Sequence, residues 1–180
     1  MHRPKMPLLA CIFFAFTASA AGQKEHRQPL TEVQIDKIRE AGLDPELRVK
    51  LYTQFVGEHV ETIKALTPRI HSATRTRRMD DELQDLTALM DELGSNLDQY
   101  GERKADMRKS LKTLTEESQH WSEALHAIPT ETGFDLSLKE AIDSEKDLGD
   151  QAAQMLKEQT DYFEQHKDER GQDRAEPKPQ

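Results

Sequence analysis

Cysteine is all but missing from this 180-residue chain: Cys11 is the one example, and it lies inside an N-terminal apolar run that reads as removed on export. What remains has no disulfide, no thiol nucleophile and no cysteine-based zinc site. Positive charge is short as well. With 25 Lys and Arg against 34 Asp and Glu the formal charge is −9, and a surface of that sign repels polyanions, so no nucleic acid is expected as a partner. The sequence has no Gly-rich phosphate loop, no Gly-x-Ser-x-Gly, no His-Glu-x-x-His and no RNA-binding aromatic motif. Without any of these there is no recognisable catalytic site, and the expectation is a non-enzymatic protein with no cofactor and no metal. No stretch alternates apolar and polar residues with β-branched enrichment, which excludes a sheet from the expected fold.

What is present begins with the N-terminus. His2, Arg3 and Lys5 form a positive start, Leu8 to Phe16 a short apolar run, and Ala18-Ser19-Ala20 a set of small residues. That is the layout of a secretory signal peptide, expected over residues 1–21 with cleavage after Ala20 or Ala21. The apolar run is only about half of the roughly 20 residues a bilayer span requires, so no transmembrane segment is expected in the mature chain. Leu8-Leu9-Ala10-Cys11 has the outline of a lipoprotein box, but Ile12 to Phe16 continue the run past the cysteine. The mature product is then exported, periplasmic or secreted, with 23 Lys and Arg against 34 Asp and Glu. Held by packing alone, its roughly 160 residues suffice for one domain with a modest core.

Residues 22–29 read as a polar linker, 30–167 as a single helical domain and 168–180 as a disordered tail with Gly171, Pro177 and Pro179 among charges. Thr31 and Gln34 form a capping-box pattern opening a short helix over 32–41 that Gly42 stops. Asp44-Pro45 opens a second, over 45–72, with Pro68 as a kink or interruption. From Met79 the positions Leu83, Leu86, Met90, Leu93, Leu97, Tyr100, Lys104, Met107, Leu111, Leu114, Ser118, Trp121, Leu125 and Ile128 follow at four-three spacing. Unbroken phase predicts one helix over 79–128, about 75 Å long at ~1.5 Å per residue. A hairpin loop near Gly94-Ser95-Asn96 is the competing reading. A fourth helix follows over 137–167, its apolar face interrupted by Glu145 and Gln159. The expected fold is an all-α, elongated antiparallel bundle: one long central helix, two shorter helices folded along its halves, and a short N-terminal helix. Apolar stripe left over at its ends would favour a homodimer, the protein partner being otherwise open.

Two basic runs stand out as a candidate binding patch. Arg69, Arg75, Arg77 and Arg78 precede four acids, an order that marks a helix junction or an anion site. Arg103, Lys104, Arg108, Lys109 and Lys112 form the second, and are expected to pair with acids of neighbouring helices. His59 lies on the apolar face of the second helix, as a core residue or a pH-sensitive contact, because imidazole titrates in the physiological range. The pairs Glu117/His120 and Glu123/His126 have the spacing of carboxylate-bridged metal bundles, but their phase places His120, Glu123 and His126 on the outer side, with Glu117 alone bordering the stripe.

Leu30-Thr31-Glu32-Val33-Gln34 resembles the L-T-x-x-Q motif of the periplasmic Spy/CpxP group of small exported all-helical proteins. The resemblance implies an ATP-independent periplasmic chaperone or envelope-stress protein, holding clients on apolar stripe and basic patches. The acidic net charge is unlike the basic concave surface of the chaperone members. The residues themselves point first to an exported interaction or scaffold module.

Overall fold

A computed structural model describes residues 28–103 and 105–169. It is all helical among those residues: α1 (Glu32–Glu40), α2 (Pro45–Leu66), α3 (Ala73–Glu102), α4 (Arg108–His126) and α5 (Asp135–Gln165), closed by a 3-10 turn over Lys167–Glu169. The expected signal peptide, most of the linker and the end of the expected tail lie outside the described residues.

The local signals act as their chemistry dictates. The Gln34 amide donates to Thr31 Oγ1 at 3.3 Å and Gln34 Oε1 accepts from the Thr31 amide at 2.8 Å, so two of the helix's orphan donors are met reciprocally. Gly42 turns the chain after α1 with φ +58°, a region costly for residues with a Cβ. Asp44 caps Leu47 at 3.1 Å with Pro45 in the first turn of α2. That helix stops at Leu66, earlier than expected. Thr67 closes its last turn before Pro68, and Ile70 is left exposed in the loop. Ser72 accepts from the Arg75 amide and starts α3, so Arg75, Arg77 and Arg78 belong to its first turns.

The single rod over 79–128 is not formed. Helix α3 ends at Glu102 and a separate helix, α4, begins at Arg108. Contacts with α5 give the directions. Ser137 meets Asp80, Ser144 meets Asp91 and Gln151 meets Asp98, so α5 runs parallel to α3. Gln159 meets Met107, and Gly149 lies against Ser118, so α5 runs antiparallel to α4. The chain therefore reverses between Arg103 and Met107. Gly94 and Gly101 are not break points. They sit within α3, where their missing side chains admit Gln151 and Met155 of α5 to 3.1 Å from an added Cβ.

Helix α2 runs antiparallel to α3, from Leu66 beside Arg75 to Arg48 beside Tyr100. Each of α2 and α5 packs side by side with both α3 and α4, whereas the backbones of α3 and α4 stand apart, as do those of α2 and α5. The result is a four-helix bundle in the ring order α2, α3, α5, α4, with the α3–α4 turn crossing its diagonal. A square of helices ~10 Å apart has a diagonal of ~14 Å, which five residues at ~3.3 Å each can span. Helix α1 packs on α2.

Every apolar member of the stripe from Met79 to Ile128 is buried. The stripe that was expected to be left over at the ends is consumed inside one chain, and with it goes the packing argument for a homodimer. Among the described residues, the large apolar side chains that remain exposed, Val33, Leu43, Leu47, Ile70 and Leu136, are scattered through α1, α2 and the loops and helix starts.

Candidate functional site

The two basic runs stand at opposite ends of α3. Arg75 and Arg103 are 28 residues apart, about 42 Å along a helix, so they form no common patch. Several of these cations are also engaged within the fold. Arg75 is 5% exposed. Its guanidinium donates to the Leu66 carbonyl at 3.0 Å, the Thr67 carbonyl at 3.2 Å and Glu131 at 2.6 Å, and lies over the Phe134 ring. It thus ties the end of α2 and the α4–α5 loop to the start of α3. The Thr76 hydroxyl, then Arg75 and His71, hold the Glu131 carboxyl below the ordinary carboxylate range. Arg69 bonds back to the Ala65 carbonyl. Arg108 forks onto Asp106, both contacts 2.8 Å, and lies over Phe163, while Arg103 stacks on Tyr100. Lys112 reaches Glu116 within its own helix, not a neighbouring one. Arg77, Arg78 and Lys109 are exposed, and Lys104 lies outside the described residues.

His59 is half-buried between α2, α3 and the lead-in to α1. Its Nδ1 stands 3.0 Å from Glu82 and its Nε2 3.2 Å from the Pro29 carbonyl. Both neighbours are acceptors, so the ring makes both hydrogen bonds only when both nitrogens carry protons. This side chain pins the start of the described chain to the bundle, beside the Gln34 bond to Glu58.

Between the parallel helices α2 and α4 lies a feature that sequence phase alone did not reveal. Glycine at position 57 leaves an open depression of about 420 Å³ walled by Gln54, Glu58, Glu61, Lys64, Glu117 and Trp121. It continues into a second of about 480 Å³ bordered by His120 and Glu123. Four carboxylates face one ammonium along this seam. Glu58 is held from two sides by Gln34 and Gln54, and Glu61 pairs with Lys64 at 2.6 Å. Glu117 and Glu123 have no partner among the described residues.

The floor of the cleft is Trp121, 2% exposed. Its Nε1 stands 3.9 Å from where a Cβ on Gly57 would be, against the cleft wall. No described residue offers the indole N–H an acceptor, and its nitrogen is not sealed from solvent. A buried indole whose N–H opens into a charged cleft is what a ligand carrying an acceptor would meet.

The Glu-x-x-His pairs are exposed: His120, Glu123 and His126 as their phase predicts, and Glu117 too, although it borders the stripe. Glu117, His120 and Glu123 line the cleft, whereas His126 bonds back to the Ser122 carbonyl and faces Glu145. No group of three potential metal ligands occurs among the described residues. The cleft escaped the sequence because it depends on α2 meeting α4 side by side, and the one-rod reading lays α2 along the N-terminal half of a long helix whose C-terminal half holds α4. The signal that was present is Gly57 in the middle of an otherwise good helix, a costly residue that marks a close approach or an opening. Comparison with protein-family models, with curated proteins and with solved structures finds no match.

Proposed function

We propose that this chain is an exported, non-enzymatic binding protein whose α2/α4 cleft receives a partner. The observation that carries this reading is the unpartnered indole N–H of Trp121 at the floor of an acid-lined opening. Export rests on the three-part N-terminal signal over residues 1–21. None of the described helices is long and apolar enough to cross a membrane, which agrees with a mature product free of the bilayer core.

Photo-crosslinking in the native envelope tests the reading. A photoreactive side chain at His120, on the cleft, captures a partner; the same group at Arg77, on an exposed turn of α3, captures none. Capture from Arg77 alone sinks it. Mass spectrometry of the product should find an N-terminus just after Ala20 or Ala21 in the extracytoplasmic fraction, and an intact N-terminus confined to the cytoplasm removes export.

The chaperone reading that the L-T-x-x-Q resemblance implies has less support. Thr31 and Gln34 are used as a helix cap, which accounts for those letters locally. The apolar stripe that clients would need is buried. An aggregation-suppression assay with a denatured client decides between the two, and protection at several-fold molar excess would favour the chaperone.

A further inference from the structure

The chemistry of the cleft narrows its occupant, given the reading above that the cleft is where binding happens. Its rim presents Glu58, Glu61, Glu117 and Glu123 against Lys64, which selects for positive charge and against anions. Two of those carboxylates, Glu117 and Glu123, are uncommitted among the described residues and available to an incoming ammonium or guanidinium. The floor asks for something different. The Trp121 N–H is a donor only, so the occupant must bring an acceptor to the place where it brings its charge. A simple polyamine has the charge without the acceptor. A metal ion has neither the acceptor nor, among the described residues, a set of three ligands to hold it. A peptide has both, since each residue of its main chain carries a carbonyl next to whatever its side chain offers.

We infer that the α2/α4 cleft binds a short basic segment of a partner protein: Lys or Arg side chains on Glu117 and Glu123, and a main-chain carbonyl accepting from Trp121 Nε1. The depressions form an open seam between two helices, a shape that admits an extended chain laid along them. Gly57 keeps the indole N–H uncovered, since any side chain there begins 3.9 Å from it.

Trp121 is the only tryptophan in the protein, so its fluorescence reports on this cleft. Titration with an acetylated, amidated Arg-Ala-Arg-Ala peptide should give a saturable change in emission that weakens with added salt. The matching Glu-Ala-Glu-Ala peptide should give none, and spermine should bind at least tenfold more weakly than the arginine peptide. The double substitution Glu117→Gln with Glu123→Gln should weaken the arginine peptide tenfold or more. Gly57→Leu leaves every carboxylate in place and covers the N–H, so it should abolish the response while circular dichroism stays helical. If that variant does not fold, the double substitution, made on exposed surface, carries the test. Spermine binding as tightly as the peptide overturns the peptide assignment, as does equal binding of the acidic peptide. Absence of any response to the arginine peptide at millimolar concentration overturns it too. If crosslinks from His120 persist in that case, only the ligand class has failed; if they vanish as well, the binding role of the cleft fails with it.

Discussion

At the scale of single residues, the bundle is pinned by a few polar side chains at its ends. Arg75 serves two carbonyls and a carboxylate from one planar group, which an ammonium cannot reproduce. Arg75→Met should cost about 2–3 kcal/mol from the two orphaned carbonyls, a fall in Tm of roughly 5–10 °C for a chain of this size. Arg75→Lys should recover less than half of it in thermal unfolding. Glu145 presents the opposite case. It is 4% exposed on α5, and burial raises its carboxyl above the ordinary range, against the opposing pull of Ser122 and His126. A carboxyl raised in the folded state binds its proton more readily there than in the unfolded chain, so stability increases as pH falls through the folded value. Glu145→Gln should therefore raise Tm at pH 7 by about 2–4 °C, the effect of ~1 kcal/mol. The gain over the parent should shrink as the buffer is made mildly acidic; a gain independent of pH would contradict the assignment. The sequence showed that Arg75 sat at a junction, since its neighbours turn from basic to acidic, but which groups it joins depends on Glu131, 56 residues away.

Among the elements, the turn between α3 and α4 shows what a hydrophobic pattern can and cannot convey. Tyr100 and Met107 are one heptad apart, and both are buried. A turn that occupies the polar part of one heptad hands the stripe to the next helix in phase, so an unbroken register is compatible with both a rod and a reversal. The caps at Thr31 and Asp44, α1, the absence of strands among the described residues and the apolar core were legible because they depend on residues close together in the chain. The reversal was not, because its determinant lies on another helix. Gln159 of α5 accepts from the Met107 amide at 2.9 Å and donates to the Ala105 carbonyl at 2.8 Å, satisfying a backbone that crosses over the end of the core. Sequence reading saw Gln159 only as a flaw in an apolar face. Gln159→Leu preserves volume and leaves both backbone groups buried without a partner, at about 2–4 kcal/mol. It should also remove the hydrogen-exchange protection of the Met107 amide while that of α2 persists at the level set by global stability. Gly57→Ala, by contrast, replaces a poor helix former where an added Cβ meets only Trp121 at 3.9 Å, and should stabilise α2 by up to ~1 kcal/mol.

For the molecule as a whole, the diagonal crossing decides which helices become neighbours, and so where a cleft can form. In a ring where chain order is spatial order, α2 would meet α3 and α5; here it meets α3 and α4, and the cleft exists only because of that exchange. The same crossing separates the two architectures by a measurable length. In a continuous helix, residues 78 and 127 stand about 74 Å apart at ~1.5 Å per residue. In the bundle both lie at the end where Glu131 meets Thr76 and Arg75, within about 20 Å, or two interhelix spacings. Both positions are exposed, and Cys11 is the only native cysteine, so Arg78→Cys and Ala127→Cys in a chain lacking residues 1–21 can be spin-labelled without competition. Pulsed electron-electron distance measurement should give one population below about 35 Å once the two label arms are added to that spacing. A population near 70 Å would restore the rod, split α2 from α4, and remove the cleft along with every binding prediction built on it.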